Sequence, residues 1–307
     1  MLNVVLYKMY KVDAFYHYMT PVIFYLPKYI YFYMVSKIKS KVVMKKIRSI
    51  LIPFNFSRTA IRALAYAVDY IGKDENQKIV LAYISDNQNL EQLREEFKST
   101  EEKHQAFLKH PIEWISASGS LTETIIEIQK KKDIDLIIMG TFSSLGVWDD
   151  ELSNTSKLVL EAECPVLVVP FVLEEFRLEN IALVLGKEEI ENTKVLDTLL
   201  QVARKFNAKV HVITVENKQE SYGYSKIDDK NENALQYYLE NFYSEHVFIK
   251  NPDILEAILS YTTDKDIDMI AILPRNHMAS GKSSEGQLTQ MLTLHSQIPV
   301  LAIDKTI

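Results

Sequence analysis

The chain has 307 residues and 35.5 kDa, 47 % of them hydrophobic and 25 % charged, which leaves room for two domains of about 150 residues and excludes wholesale disorder, a collagen-like rod or a coiled coil. A single cysteine, Cys164, excludes an intrachain disulfide and a cysteine-rich zinc site, and predicts a reducing, cytoplasmic setting. The net charge of −6 argues against a nucleic-acid binder working through a broad basic surface.

That average hides a split. Residues 1–43 hold six Lys, no Arg, one acid (Asp13) and eight of the 17 tyrosines, a net +5, while the other 264 residues carry −11. The stretch Ala14–Val35 is apolar and about long enough to cross a bilayer, yet it contains His17, Pro21, Pro27 and Lys28. Its lysines follow the apolar run, at Lys37, Lys39 and Lys41, the reverse of a signal peptide. Three readings stand. The favoured one is a non-native or unstructured extension, the translation of AT-rich DNA ahead of a start at Met44. The others are a membrane or interfacial anchor over residues 14–35 and an ordered arm; a membrane role is not the expectation.

From Met44 onward the chain repeats itself. SILIPF (49–54) recurs as IALVLG (181–186), KIVLAYIS (78–85) as KVHVITVE (209–216), DIDLIIMG (133–140) as DIDMIAIL (266–273), and CPVLVVP (164–170) as IPVLAID (298–304), with offsets of 131 to 134. Four blocks in one order at nearly constant spacing predict a duplicated domain. The halves are placed at 44–172 and 173–307, with Phe171–Asn180 as the linker. Each block is a short Val/Ile/Leu run, as in a parallel strand buried on both faces.

Between the blocks the periodicity is helical. After a Ser57 cap, Ile61, Leu64, Ala65 and Val68 fall on one stripe, and Val195, Leu196, Leu199, Leu200 and Ala203 do so in the second half. The charged stretch Asn89–Leu108 puts Leu90, Leu93, Phe97, His104 and Phe107 on one side. Ser120–Glu123 reads as a capping box, and Asp253–Glu256 is its counterpart. Strands alternating with helices make each half an open, doubly wound α/β sheet with right-handed crossovers. Ligands of such sheets sit beyond the carboxyl ends of the strands, so the segments after strands one and four are the ones to inspect.

After strand one the first half reads Ile52-Pro53-Phe54-Asn55-Phe56-Ser57; after strand four come Met139-Gly140-Thr141-Phe142-Ser143, then Ser153-Asn154-Thr155-Ser156. With ILIPFNFS, DLIIMGT, SNTS and ECPVLVVP in this order, residues 44–307 resemble the universal stress protein family in its tandem form. The resemblance implies two flavodoxin-like (HUP-type) domains, each a five-stranded parallel sheet of order 3-2-1-4-5 with helices on both faces. The fifth strands, Val166–Val169 and Val300–Ile303, are then expected to pair antiparallel in an intrachain pseudo-dimer, with a homodimer as a further possibility.

In nucleotide-binding members a Gly-rich loop after strand four meets the phosphates through backbone N–H groups and a helix N-terminus. Carried over, the backbone of Gly140–Ser143, Phe142 included, and the helix start at Ser153, Asn154 and Thr155 would face phosphates, while Pro53, Asn55 and Ile84 would border base and ribose; Met139, next to Gly140, is counted in the pocket as well. Two departures stand out. Ser143 occupies a glycine position, and the family's acidic residue after strand one is Asn55. Between Gly140 and Ser156 there is no Lys or Arg, while Asp149, Asp150 and Glu151 are consecutive. One like-charge pair at about 6 Å and a dielectric near 20 costs roughly 3 kcal/mol, more than the ~0.3–1 kcal/mol a helix N-terminus supplies.

Two readings of this pocket stay open: an eroded site in a stress-linked binding or regulatory protein, or ATP binding with Mg²⁺ and slow hydrolysis or phosphotransfer. A membrane-tethered regulatory domain is a third. The second half, with Gly186-Lys187-Glu188 after its first strand and Pro274-Arg275-Asn276 after its fourth, is expected to be structural. Gly281-Lys282-Ser283 lacks the upstream glycine of a P-loop. No pair of histidines brackets a Glu in zinc spacing, His211 is expected to be a packed strand residue, and Cys164 a buried thiol. No catalytic residue, metal site or nucleic-acid partner is expected.

Overall fold

Runs of β-branched and aliphatic residues fill the middle of one continuous ten-stranded sheet. The computed structural model describes residues 46–86, 89–142, 154–185, 190, 193–216, 226–273 and 285–303. The extension 1–43 and the Gly281-Lys282-Ser283 segment lie outside them. In the first half, β1 (Ser49–Pro53), α1 (Arg58–Ile71), β2 (Lys78–Ile84), α2 (Leu90–His104), β3 (Glu113–Ala117), α3 (Leu121–Lys131), β4 (Leu136–Thr141), α4 (Asn154–Glu161) and β5 (Val166–Pro170) follow in order. The second half repeats them as β6 (Asn180–Val184), α5 (Asp197–Phe206), β7 (Lys209–Glu216), α6 (Lys226–Leu239), β8 (Tyr243–Lys250), α7 (Ile254–Asp264), β9 (Met269–Ile272), α8 (Glu285–His295) and β10 (Val300–Ala302).

The strand order is β3-β2-β1-β4-β5-β10-β9-β6-β7-β8, that is, 3-2-1-4-5 followed by its mirror. Every pair is parallel except β5 with β10, which run antiparallel with Val168 opposite Val300 and Val166 opposite Ala302. The expected meeting of the two fifth strands is thus observed. It removes two apolar edges that would otherwise face water.

One core crosses that junction. Leu51, Ile137 and Val168 of the first half and Ile270, Ile272 and Val300 of the second share a buried cluster under α3, α4, α7 and α8. On the opposite face the α1 and α5 ends meet through Tyr70 and Phe206, 5.3 Å apart, and the linker residue Phe176 wedges against both Tyr66 and Phe206. Here a polar ring closes the seam. Lys205 donates to Asp74 Oδ2 (3.3 Å), to the Ile71 carbonyl (3.3 Å) and to Gln77 Oε1. Gln77 donates to the Ile47 carbonyl (2.9 Å), and the Ile47 N–H donates to Gln201 Oε1 (3.0 Å), one turn before Lys205 on α5.

Most local signals hold. Ser57 caps α1 by accepting from the Ala60 N–H, and Asp253 caps α7 by accepting from Glu256; the second-half stripe from Val195 to Ala203 is buried. Others differ. Ser120 is the N-cap of α3, but its hydroxyl makes no cap bond; only its carbonyl takes part, accepting the first helical bond from the Thr124 N–H. Ile61 is 50 % exposed, because α1 is turned so that Ala63, Leu64, Ala67 and Val68 meet the sheet. On α2 only Leu93 and Phe97 are buried, since the helix stops at His104 and a 3₁₀ turn carries Phe107 into solvent.

Candidate functional site

The crevice of the first half lies beyond the carboxyl ends of β1, β2 and β4. Pro53 ends β1 opposite Ala82, and the next N–H, of Phe54, donates to the Ala82 carbonyl at 2.8 Å. The chain then turns sharply. Asn55 Oδ1 accepts from the Ser57 N–H at 3.2 Å, an Asx turn, and Phe56 takes the left-handed conformation at φ 60°. A bulky residue rarely adopts this conformation. It is held by an aromatic cluster: the Phe56 ring lies 5.0 Å from Phe54, 5.0 Å from Phe97 and 6.0 Å from Tyr83. Phe97 in turn stacks on Trp114 at 4.7 Å.

β4 closes the other side. Gly140 pairs with Val169, and its bare Cα lies against the start of α1: a Cβ there would fall 2.0 Å from the Thr59 carbonyl oxygen. The helix therefore approaches β4 backbone to backbone. Beyond Gly140, Phe142 is 60 % exposed and its ring sits 5.1 Å from Phe171. Thr155 and Ser156, in the first turn of α4, are buried.

Eight of the ten sequence-derived site residues lie within the described residues; Ser143, Ser153 and the acids Asp149–Glu151 lie outside them. Pro53, Asn55, Gly140 and Phe142 border the crevice through β1, β4 and their exits, and Asn154 and Thr155 open α4. The Met139 side chain is buried in the core with Leu51 and Ile137, and that of Ile84 is half-buried against it. Alternation along a strand sends neighbouring side chains to opposite faces, and the Gly140 motif drew attention to Met139 only by adjacency. In the second half Leu185 closes β6 by donating to the Ile213 carbonyl, and residues 186–189 and 274–280 lie outside the described residues.

Two residues escaped the sequence reading. Thr59 is one, for its backbone contact with Gly140. Arg58 is the other: it opens α1 beside Thr59 and is exposed, a cation at a helix start bordering the crevice. The Asn55-Phe56-Ser57 triplet carried a usable signal, because Asx turns precede helix caps and tolerate positive φ.

A second polar cluster lies away from the crevice. Glu245 Oε1 accepts from Tyr261 (3.1 Å) and Lys265 (3.2 Å) and lies 3.3 Å from His211 Nδ1. The Lys265 hydrogen bond holds the Glu245 carboxyl below its ordinary range, and burial followed by the Glu245 charge pushes the Tyr261 hydroxyl up. His211 is thus a hydrogen-bonded strand residue, and Cys164 is buried. Among the described residues no group of His, Cys, Asp and Glu is placed to hold a metal, and no helix is long and apolar enough to cross a membrane.

Comparison with known proteins agrees with this architecture. A sequence model described as the universal stress protein family matches residues 46–170. A universal stress protein of Archaeoglobus fulgidus DSM 4304 superposes with a TM-score of 0.65 at 15 % identity, covering 85 % of this chain and 100 % of that one. A putative universal stress protein of Pseudomonas aeruginosa UCBPP-PA14 gives 0.58 at 17 % identity, over 85 % and 94 %. The cytoplasmic domain of a prokaryotic cation chloride cotransporter gives 0.53 at 11 % identity, over 84 % and 96 %. At these identities the structural likeness is one of fold, and it spans both halves. A search of curated protein sequences finds no match. Residues 46–170 thus match the universal stress protein family, and the second half carries the same fold again.

Proposed function

We propose that the protein is a stress-linked binding and regulatory protein of the cytoplasm whose first-half nucleotide pocket is eroded and whose second half is structural. The domains run over 44–172 and 173–307, after an extension of 43 residues. The antiparallel β5–β10 joint serves as the contact of an intrachain pseudo-dimer. The carrying observation is Asn55. It stands where the family's acidic ribose or base contact belongs, and its oxygen is engaged by the Ser57 N–H. The run Asp149–Glu151, with no Lys or Arg between Gly140 and Ser156, argues the same way: a triphosphate there meets like charge.

One observation favours a second reading, ATP with Mg²⁺. Arg58 is exposed at the start of α1, next to the Thr59–Gly140 contact, where it is available to a phosphate. A Mg²⁺ ion would offset the acidic run, with phosphates along Gly140–Ser143 and Ser153–Thr155. Calorimetric titration of the full chain with ATP, with and without Mg²⁺, separates the two. The eroded pocket predicts no saturation in either arm at millimolar ATP. Saturation only with Mg²⁺, lost in Arg58→Gln, establishes the second reading. Micromolar affinity without Mg²⁺ overturns the electrostatic reasoning behind both.

A further inference from the structure

Between α1 and α2, sharing the Phe54–Phe56 turn with the crevice, lies a groove of about 410 Å³, within the range of small-ligand sites. Phe54, Phe56, Ile61 and Leu64 supply an apolar floor and one wall. The other wall is one face of α2, and its chemistry changes in order: Glu95 and Glu96, then Ser99 and Thr100, then Lys103 and His104. At 1.5 Å per residue these rungs are about 6 Å apart, so the carboxylates and the cations are separated by about 12 Å.

The charges on this face are not used inside the fold. Lys98, elsewhere on the helix, pairs with Glu102 at 4.0 Å, whereas Glu95, Glu96 and Lys103 have no ion-pair partner among the described residues. Glu96 shares one oxygen with the Gln92 amide at 2.8 Å, so Glu95 is the less engaged acid. His104 donates Nδ1–H to the Thr100 carbonyl at 2.9 Å and lies within electrostatic reach of Asp69. Lys103 is therefore the principal cation at its end. The strained Phe56 at φ 60° closes the apolar floor.

We propose that this groove binds an extended, apolar peptide of three to four residues with free termini, its ammonium at Glu95 and Glu96 and its carboxylate at Lys103. Three features match. An extended chain advances about 3.3–3.6 Å per residue, so three to four residues span the 12 Å between the charged rungs. The apolar side chains face Ile61, Leu64, Phe54 and Phe56, and the Ser99 hydroxyl lies along the backbone. A ligand with one charge satisfies one end only. Acid early and base late also complements the helix macrodipole, and the experiment distinguishes that role from binding.

The test is calorimetry on the full chain with trileucine as the probe, beside N-acetyl-trileucine, trileucine amide, decanoate and decylamine. Saturable binding of trileucine is expected, weakened by about fivefold for each capped terminus, the loss of one partly exposed ion pair. Lys103→Met should weaken trileucine but not its amide; the double variant Glu95→Gln/Glu96→Gln should weaken trileucine but not its acetylated form. Ile61→Gln, on the surface, should abolish binding of all three with an unchanged circular dichroism spectrum. No saturable binding at millimolar trileucine, equal binding of capped and free peptides, or equal binding of decanoate or decylamine would each overturn the proposal. None of these outcomes decides the ATP titration, which uses a different ligand and is read at Arg58.

Discussion

The Thr59 carbonyl oxygen stands where a side chain on Gly140 would be, 2.0 Å from its ideal Cβ position. The glycine that reads in sequence as a phosphate contact is required by helix packing whether or not a nucleotide ever binds. The obstacle is backbone, which cannot swing aside like a long side chain, so α1 must move. Gly140→Ala and Gly140→Val are each expected to cost about 3 kcal/mol or more, the upper range of overpacking, seen as a lower urea midpoint without ligand. An unchanged midpoint for Gly140→Val would refute the close approach. Loss of ATP binding in such a variant therefore carries no information about the crevice, and Arg58 is the better probe.

Asp135 and Asp268, which open β4 and the approach to β9, perform one task twice. Asp135 Oδ2 accepts from the Arg48 and Ser49 N–H groups at 2.9 and 3.1 Å; Asp268 Oδ2 accepts from Glu179 and Asn180 at 2.7 and 2.9 Å. Asp268 is also gripped by Arg177 of the linker, and its side chain is 4 % exposed. Removing an acceptor leaves backbone donors, most of them in part-buried bonds, without partners, at most about 1–3 kcal/mol. Asp268→Ala should cost more than Asp135→Ala because it also removes one of the two carboxylates that hold Arg177, Asp266 being the other. Denaturation of the two variants side by side checks the order; a larger loss for Asp135→Ala would count against the role given to Arg177.

Lys205 holds the seam at a cost. Burial lowers its pKa even though the Asp74 carboxylate pulls it upward, so desolvation outweighs the ion pair. Removing one partner of such a pair is nevertheless expensive, because the other is left behind. Lys205→Met should destabilise by about 1–3 kcal/mol, and the double variant with Asp74→Asn by less than the sum. A double-mutant cycle reads the coupling; strict additivity would mean the ring does not act as a unit.

Among the described residues three carboxyls are held below their ordinary range: Asp74 by the Asn76 backbone N–H and then Lys205, Glu245 by Lys265, and Asp266 by Arg177. A depressed folded pKa contributes stability that is complete above the unfolded value, about 4, and is lost as pH falls through the folded one. Asp69, raised by burial, acts in the opposite sense. Urea midpoints should therefore fall from pH 5 toward pH 3. Asp74→Asn and Glu245→Gln should each make that limb shallower, and Asp69→Asn steeper. An acid limb unchanged in all three would show that other groups set it.

Much of this fold is legible in one dimension. The strand runs are continuous Val, Ile and Leu because parallel strands are covered on both faces, and duplication places each run at a near-constant offset. Ser57 and Asp253 act through their own first turn, so their caps are readable too. Strands β3 and β8 were harder. Glu113–Ala117 and Tyr243–Lys250 lie at the outer edges and are only half-buried, so their composition lacks the unbroken apolar run. Helix faces were readable where both sides of the helix are decided by the sheet, as at Leu199 and Leu200. They were misread at Ile61, which stands beside an open groove.

The sequence by itself determined the repeat, the parallel core, the family likeness and the absence of phosphate-binding cations in 141–155, because each depends on residue type and spacing along the chain. Only the tertiary structure decided what Gly140 is for, and that Lys205 reaches Asp74 and Gln77 across 131 and 128 residues. It alone set the carboxylates of α2 opposite Ile61 and Leu64. Each of these is a contact between segments far apart in sequence, and its energy depends on distances of a few ångströms that no local pattern encodes.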